Sequence, residues 1–137
     1  METTSYSKDR DLENILLETI KIGKPIDILK VDDGAVTING IVLSYHHDSD
    51  CCEHVYADFP YIKEQIVEIS GINVETLEIK AVPKMGILLS FDDKYKYFIP
   101  CFNSQNGYYS SNLKLLIEMN GLRKEIDISD FVEDKIY

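Results

Sequence analysis

The chain reads as an α+β protein, mainly antiparallel sheet (a meander plus a C-terminal hairpin) with two short helices. Three features predict this: apolar residues at helical spacing in two short stretches, alternation through most of the rest, and Asp-Gly or Asn-Gly pairs between alternating stretches. Leu12, Ile15, Leu16 and Ile20 repeat every three or four residues, with Asp9 or Asp11 as N-cap and Gly23 and Pro25 as the stop. That spacing predicts a helix over 11–22, and residues 1–24 form an N-terminal helical extension. The single α+β domain then occupies 25–137.

The domain opens with alternation. Ile26–Leu29, Ala35–Ile38 and Ile41–Tyr45 are separated by Asp33-Gly34 and Asn39-Gly40, pairs that supply the positive φ angles of tight hairpins. Val55–Ala57 is a further strand. Asp58 is placed to cap a second helix, with Pro60 in its first turn, Ile62, Ile66 and Ile69 on one face and Gly71 at its end. Strand-like stretches follow at Val74–Val82, Gly86–Phe91 and Tyr95–Phe102. The last hairpin, Leu113–Met119 with Leu122–Ile128, turns at Asn120-Gly121.

Composition narrows the function classes. At 137 residues with 45% hydrophobic content, the chain can build an ordinary core without metal or disulfides. No secretory or membrane-spanning stretch stands out, so a soluble, cytoplasmic protein is expected. The three cysteines include an adjacent pair, Cys51-Cys52. Neighbouring Cα atoms lie ~3.8 Å apart, below the disulfide range, so reduced thiols are the simpler state. The net charge is −10, from 24 acidic and 14 basic residues. Direct nucleic-acid binding, which depends on Lys and Arg, is disfavoured. A protein partner fits instead, including a basic nucleic-acid-binding protein whose groove an acidic surface occupies. An exposed helix and open strand edges also allow a homodimer.

Chemistry-bearing residues concentrate between Tyr45 and Tyr56, which hold all three histidines and two of the three cysteines. Three readings compete there. Metal binding would use His46, His47, Cys52 and His54, with zinc as the ion suited to thiolate and imidazole. If Cys51–Ala57 is a strand, Cys52 and His54 share a face and His46 or His47 folds back. Common zinc spacings are absent, however. Nucleophilic catalysis would pair Cys52 with a histidine and with Asp50 or Glu53. Yet no nucleophile elbow precedes it, and flanking acids oppose thiol ionisation. In the third reading the cysteines are small apolar plugs of a packed strand. Asn106-Gly107-Tyr108-Tyr109-Ser110 divides similarly, between a hairpin turn and an exposed aromatic contact surface.

Taken together, His47-x-x-Asp50-Cys51-Cys52-Glu53-x-Val55-Tyr56 and Asn106-Gly107-Tyr108-Tyr109-Ser110 resemble a domain-of-unknown-function family common in bacteriophage and prophage genomes. Its members carry a strand meander, a His-x-Gln-Asp-Cys-Cys-Glu motif and a later Asn-Gly-Tyr-Tyr-Ser motif. The resemblance covers residues 26–119. Here Ser49 stands for the usual Gln, and His46 and His54 are additions. The resemblance implies a setting in phage or mobile-element biology and carries no activity with it. It marks His47, Asp50, Cys51, Cys52, Glu53, Asn106, Tyr108 and Tyr109 as the candidate binding surface. The functional expectation is a small acidic interaction protein that binds and modulates a host or defence protein, as an inhibitor. No cofactor is required for this, and no catalytic residue is assigned. A metal module on the His/Cys run and a small-molecule or nucleotide binder remain the alternatives.

Overall fold

The computed structural model describes residues 14–27, 30–46, 54–105, 113–131 and 133–136. It overturns the α+β expectation. Among the described residues the fold is mainly β, eleven strands in two sheets, with one helical segment over 59–69 and a 3-10 turn at Ser129–Phe131. The first sheet has the order β1 (Ile15–Pro25), β6 (Asn73–Val82), β7 (Gly86–Phe91), β8 (Tyr95–Gln105), β11 (Glu133–Ile136), with β5 (His54–Ala57) also on β8. The second has the order β10 (Leu122–Asp127), β9 (Lys114–Met119), β4 (Ile41–His46), β3 (Ala35–Ile38), β2 (Lys30–Val31).

The helix expected over 11–22 is the main correction. Its described part is β1, antiparallel to β6 from Ile15↔Ala81 to Pro25↔Asn73. Two register shifts, between Leu16 and Glu18 and between Lys21 and Lys24, interrupt its alternation. Each inserts one extra residue, the second at Gly23 with φ +64°. The phase slips make Ile15, Leu16 and Ile20 look helically spaced. Ile20 and Ile22 nevertheless bury at period two, while Ile15 and Leu16 stay half exposed. Long-range pairing with β6 outweighs a weak local pattern. The strand expected at Ile26–Leu29 is displaced to β2, since Ile26 and Asp27 lie outside any strand.

The second helix survives in shorter form. Residues 59–69 run as a 3-10 turn (Phe59–Ile62), one α-turn (Lys63–Ile66) and a second 3-10 turn (Val67–Ile69). Phe59, Ile62, Ile66 and Ile69 are fully buried, which is the helical spacing seen in sequence. The carboxylate of Asp58 makes no capping bond; its backbone N–H donates to Pro100 O at 2.8 Å. Tyr97, on β8, donates its hydroxyl to Glu68 Oε2 at 2.5 Å and ties the segment to the first sheet.

Both sheets share one core. Leu77, Ile79, Ile87, Leu89 and Ile99 from the first meet Val36, Ile38, Leu43, Leu115 and Ile117 from the second. A smaller cluster of Val82, Leu88 and Phe98 lies on the opposite face of the first sheet, so β7 is buried on both sides. Two hairpins turn as expected, with φ +51° and +81° at Asn39-Gly40 and +52° and +77° at Asn120-Gly121. Asn39 also latches the chain: its Oδ1 accepts from Asp27 N at 2.8 Å and its Nδ2 donates to Pro25 O at 3.0 Å.

β8 changes partners along its length. As far as Pro100 it pairs with β7; from Cys101 it pairs with β5, and from Phe102 also with β11, in parallel. Pro100 sits at the hand-over. The N–H of Cys101 points to Met85 O on the β7 side, so the donor that proline lacks would point the other way, where Pro100 O accepts from Asp58 N just before the β5 ladder begins at Ala57↔Cys101.

Candidate functional site

The pairing places the flanks of both sequence motifs side by side. β4, in the second sheet, ends at His46, and β5, in the first, begins at His54. β8, in the first sheet, ends at Gln105, and β9, in the second, begins at Lys114. His46 pairs with Lys114, and His54 pairs with Ser104. Each connection therefore leaves and arrives next to the other.

The two anchors are firmly held. At the first, Tyr45 stacks on Phe59 with ring centroids 6.1 Å apart, and Tyr56 lies against Phe102 at 5.4 Å. Burial, then the neighbouring Tyr56, Asp33, Asp58 and Cys101, push the Tyr45 phenol above its ordinary pKa. At the second, Leu113 N donates to Ser129 Oγ at 3.1 Å and its carbonyl accepts from Ile128 N at 2.9 Å. The Ser129 hydroxyl and amide both donate to Asp127 Oδ1, at 2.6 and 2.9 Å, and hold that carboxyl below its usual range.

Of the residues expected to act, His46 ends β4 as an exposed residue and His54 opens β5. His47, Asp50, Cys51, Cys52, Glu53, Asn106, Tyr108 and Tyr109 lie outside the described residues. The expected strand over Cys51–Ala57 is described from His54 onward. Among the described residues no group of three or more His, Cys, Asp or Glu side chains could hold a metal ion. No helix among them is long and apolar enough to cross a membrane.

Cys101 is a core residue. It is fully buried, and burial pushes its thiol up to about 12, against a partial lowering by a backbone hydrogen bond with Ile87. Its Sγ faces Ile99 O at 3.8 Å. A thiol so protonated is packing material rather than a nucleophile. Sequence reasoning missed the Tyr45–Phe59 and Tyr56–Phe102 contacts. The aromatics bracketing the His/Cys run were the available signal.

The described residues define a mainly-β, two-sheet scaffold in which the strand ends flanking residues 47–53 and 106–112 lie side by side. No protein-family model matches the chain, no curated protein matches it, and no solved structure matches it.

Proposed function

We propose that this chain is a small phage- or mobile-element-associated interaction protein that binds and modulates a host or defence protein. The observation that carries the reading is the paired anchoring of residues 47–53 and 106–112 through His46↔Lys114 and His54↔Ser104. Two segments singled out independently in sequence thereby belong to one end of the scaffold. Loops held on a rigid sheet commonly carry recognition, which supports one contact surface drawn from both stretches.

Asp48, Asp50 and Glu53 in the first segment and Tyr108 and Tyr109 in the second supply charge and aromatic anchors. On a chain of net charge −10 they suit a basic partner. A nucleic-acid-binding protein engaged this way loses its groove, which makes the interaction inhibitory.

The test is affinity capture from bacterial lysate with the full chain, beside Asp50→Lys/Glu53→Lys and Tyr108→Ser/Tyr109→Ser variants. One basic protein should be retained by the parent chain and lost with both variants. If nothing retained depends on both segments, this reading fails.

A further inference from the structure

At the opposite end of β4 and β9 from His46 and Lys114, three parts of the chain enclose a hollow of about 170 Å³. β1 supplies Lys21, Ile22 and Lys24. The β3–β4 turn supplies Asn39 and Gly40, and the β9–β10 turn supplies Asn120. Asn39 fixes these walls relative to one another. The bonds between its carboxamide and the Pro25 carbonyl and Asp27 amide tie the β3–β4 turn to the end of β1.

An irregularity in β1 brings the two lysines there. In a regular strand, residues three apart point to opposite faces. The register shift between Lys21 and Lys24, with Gly23 at φ +64°, breaks that rule, and both lysines line the same hollow. Among the described residues no carboxylate lines it. Elsewhere on this chain of net −10, Lys80, Lys96, Lys114, Arg123 and Lys124 each have a Glu or Asp carboxylate beside them. Lys21 and Lys24 have none among the described residues, and the carboxamide of Asn120 makes no hydrogen bond there either.

We infer that this hollow is a binding site for a phosphate group, held between the Lys21 and Lys24 ammonium groups with the Asn120 carboxamide as a further donor. Size and charge select that ligand. Pockets for drug-sized molecules run to ~300–1,000 Å³, so a hollow of about 170 Å³ suits a group of a few heavy atoms. A phosphate carries a charge of about −2 and several strong acceptor oxygens, which matches two ammonium groups. A carboxylate would leave one positive charge over. Lysine also serves phosphate as a compact point charge, whereas the planar carboxylate is best met by the fork of arginine, and no arginine lines the hollow. The site uses nothing from residues 47–53 or 106–112, and the inference stands whatever binds there.

Inorganic phosphate is the first probe, titrated into the full chain by calorimetry at constant ionic strength with chloride as the background anion. Saturable binding is expected, about tenfold or more tighter than that of acetate, and weakened about tenfold or more by Lys21→Gln/Lys24→Gln. Both lysines are exposed, so this variant should melt with the parent chain in chloride. Lys124→Gln, which lies outside the hollow, should bind phosphate as the parent does. Methyl phosphate separates the two sources of the group. Binding equal to that of inorganic phosphate assigns the hollow to the phosphate of a larger ligand, and much weaker binding assigns it to the free ion; either upholds the site. Any of four results overturns the inference: no saturation up to about 20 mM phosphate, acetate binding as tightly, a Lys21→Gln/Lys24→Gln variant within about twofold of the parent chain, or an equal loss with Lys124→Gln. The last would show general attraction to surface charge in place of a site.

Discussion

Replacing Gly86 with Ala should be among the most damaging single changes available, and the structure says why. An ideal Cβ at Gly86 would lie 2.2 Å from Ile99 O, 2.9 Å from Cys101 N and 3.0 Å from Pro100 Cα. All three are backbone atoms of β8, so no side chain can swing aside to make room. The strand pair must separate where β8 passes from β7 to β5, next to the Cys101 N–H bond to Met85 O at 2.9 Å. The backbone at Gly86 has φ +154°, strained for any residue with a Cβ, at ~1–3 kcal/mol. Losing one ladder hydrogen bond adds ~0.5–1.5 kcal/mol. The total is about 3 kcal/mol, which at a urea dependence of ~1.5 kcal/mol per molar moves the midpoint down by roughly 2 M. Gly40→Ala is the control, since its φ is +81° but nothing lies within 4 Å of the new Cβ. It should cost only the left-handed penalty of ~1–2 kcal/mol. Urea unfolding of both variants, read by circular dichroism, decides the matter. A Gly86→Ala midpoint no lower than that of Gly40→Ala would refute the close-approach argument.

Other outcomes follow from single groups. Ser90 is fully buried and, among the described residues, its hydroxyl finds no hydrogen-bond partner, so Ser90→Ala should stabilise by about 1 kcal/mol. Calorimetry should show this as a melting temperature a few degrees higher; a lower one would point to a partner for the hydroxyl. The Cys101 thiol titrates near 12 when folded against 9.0 ordinarily, and a raised pKa favours the protonated folded state. Stability should therefore fall as pH climbs from about 9 towards 12, and Cys101→Ala should lessen that fall by ~1.4 kcal/mol per pH unit, the raised Tyr45 and Tyr97 phenols keeping a further loss above pH 10. The same burial predicts that Cys101 resists thiol reagents until the protein unfolds, measurable by quantitative thiol titration with and without denaturant. Elemental analysis of reduced, untagged protein should find no stoichiometric zinc; zinc that disappears with Cys52→Ser would instead make residues 47–53 a metal site.

Local signals in the sequence were read well where they were strong. Asn39-Gly40 and Asn120-Gly121 form the turns their chemistry demands, and Ile62, Ile66 and Ile69 bury together as their spacing implies. The failure at β1 has a physical cause: two inserted residues break the alternation that marks a strand, and only pairing with a segment some sixty residues away restores it. The C-terminal acidic stretch likewise gave no sign that Glu133–Ile136 would lie parallel to β8. At the candidate site the crowding of His and Cys residues was legible in the sequence. The adjacency of the two connections was not, because it arises from the β4–β9 and β5–β8 pairings, both distant in sequence.

The place of β9 bears on how the chain is made. β9 separates β10 from β4 in the second sheet, so that sheet has no centre until Lys114–Met119 has left the ribosome. Until then Ile41 and Leu43 on β4 lack the neighbour that completes their shelter, and β8 still awaits β11. Such late, non-local closure makes folding slow compared with helical proteins of similar size. It also leaves bare strand edges exposed during synthesis, when nascent chains are most prone to stick to one another. Lower growth temperature, which weakens the sticking of exposed apolar strands, should therefore raise the yield of folded protein.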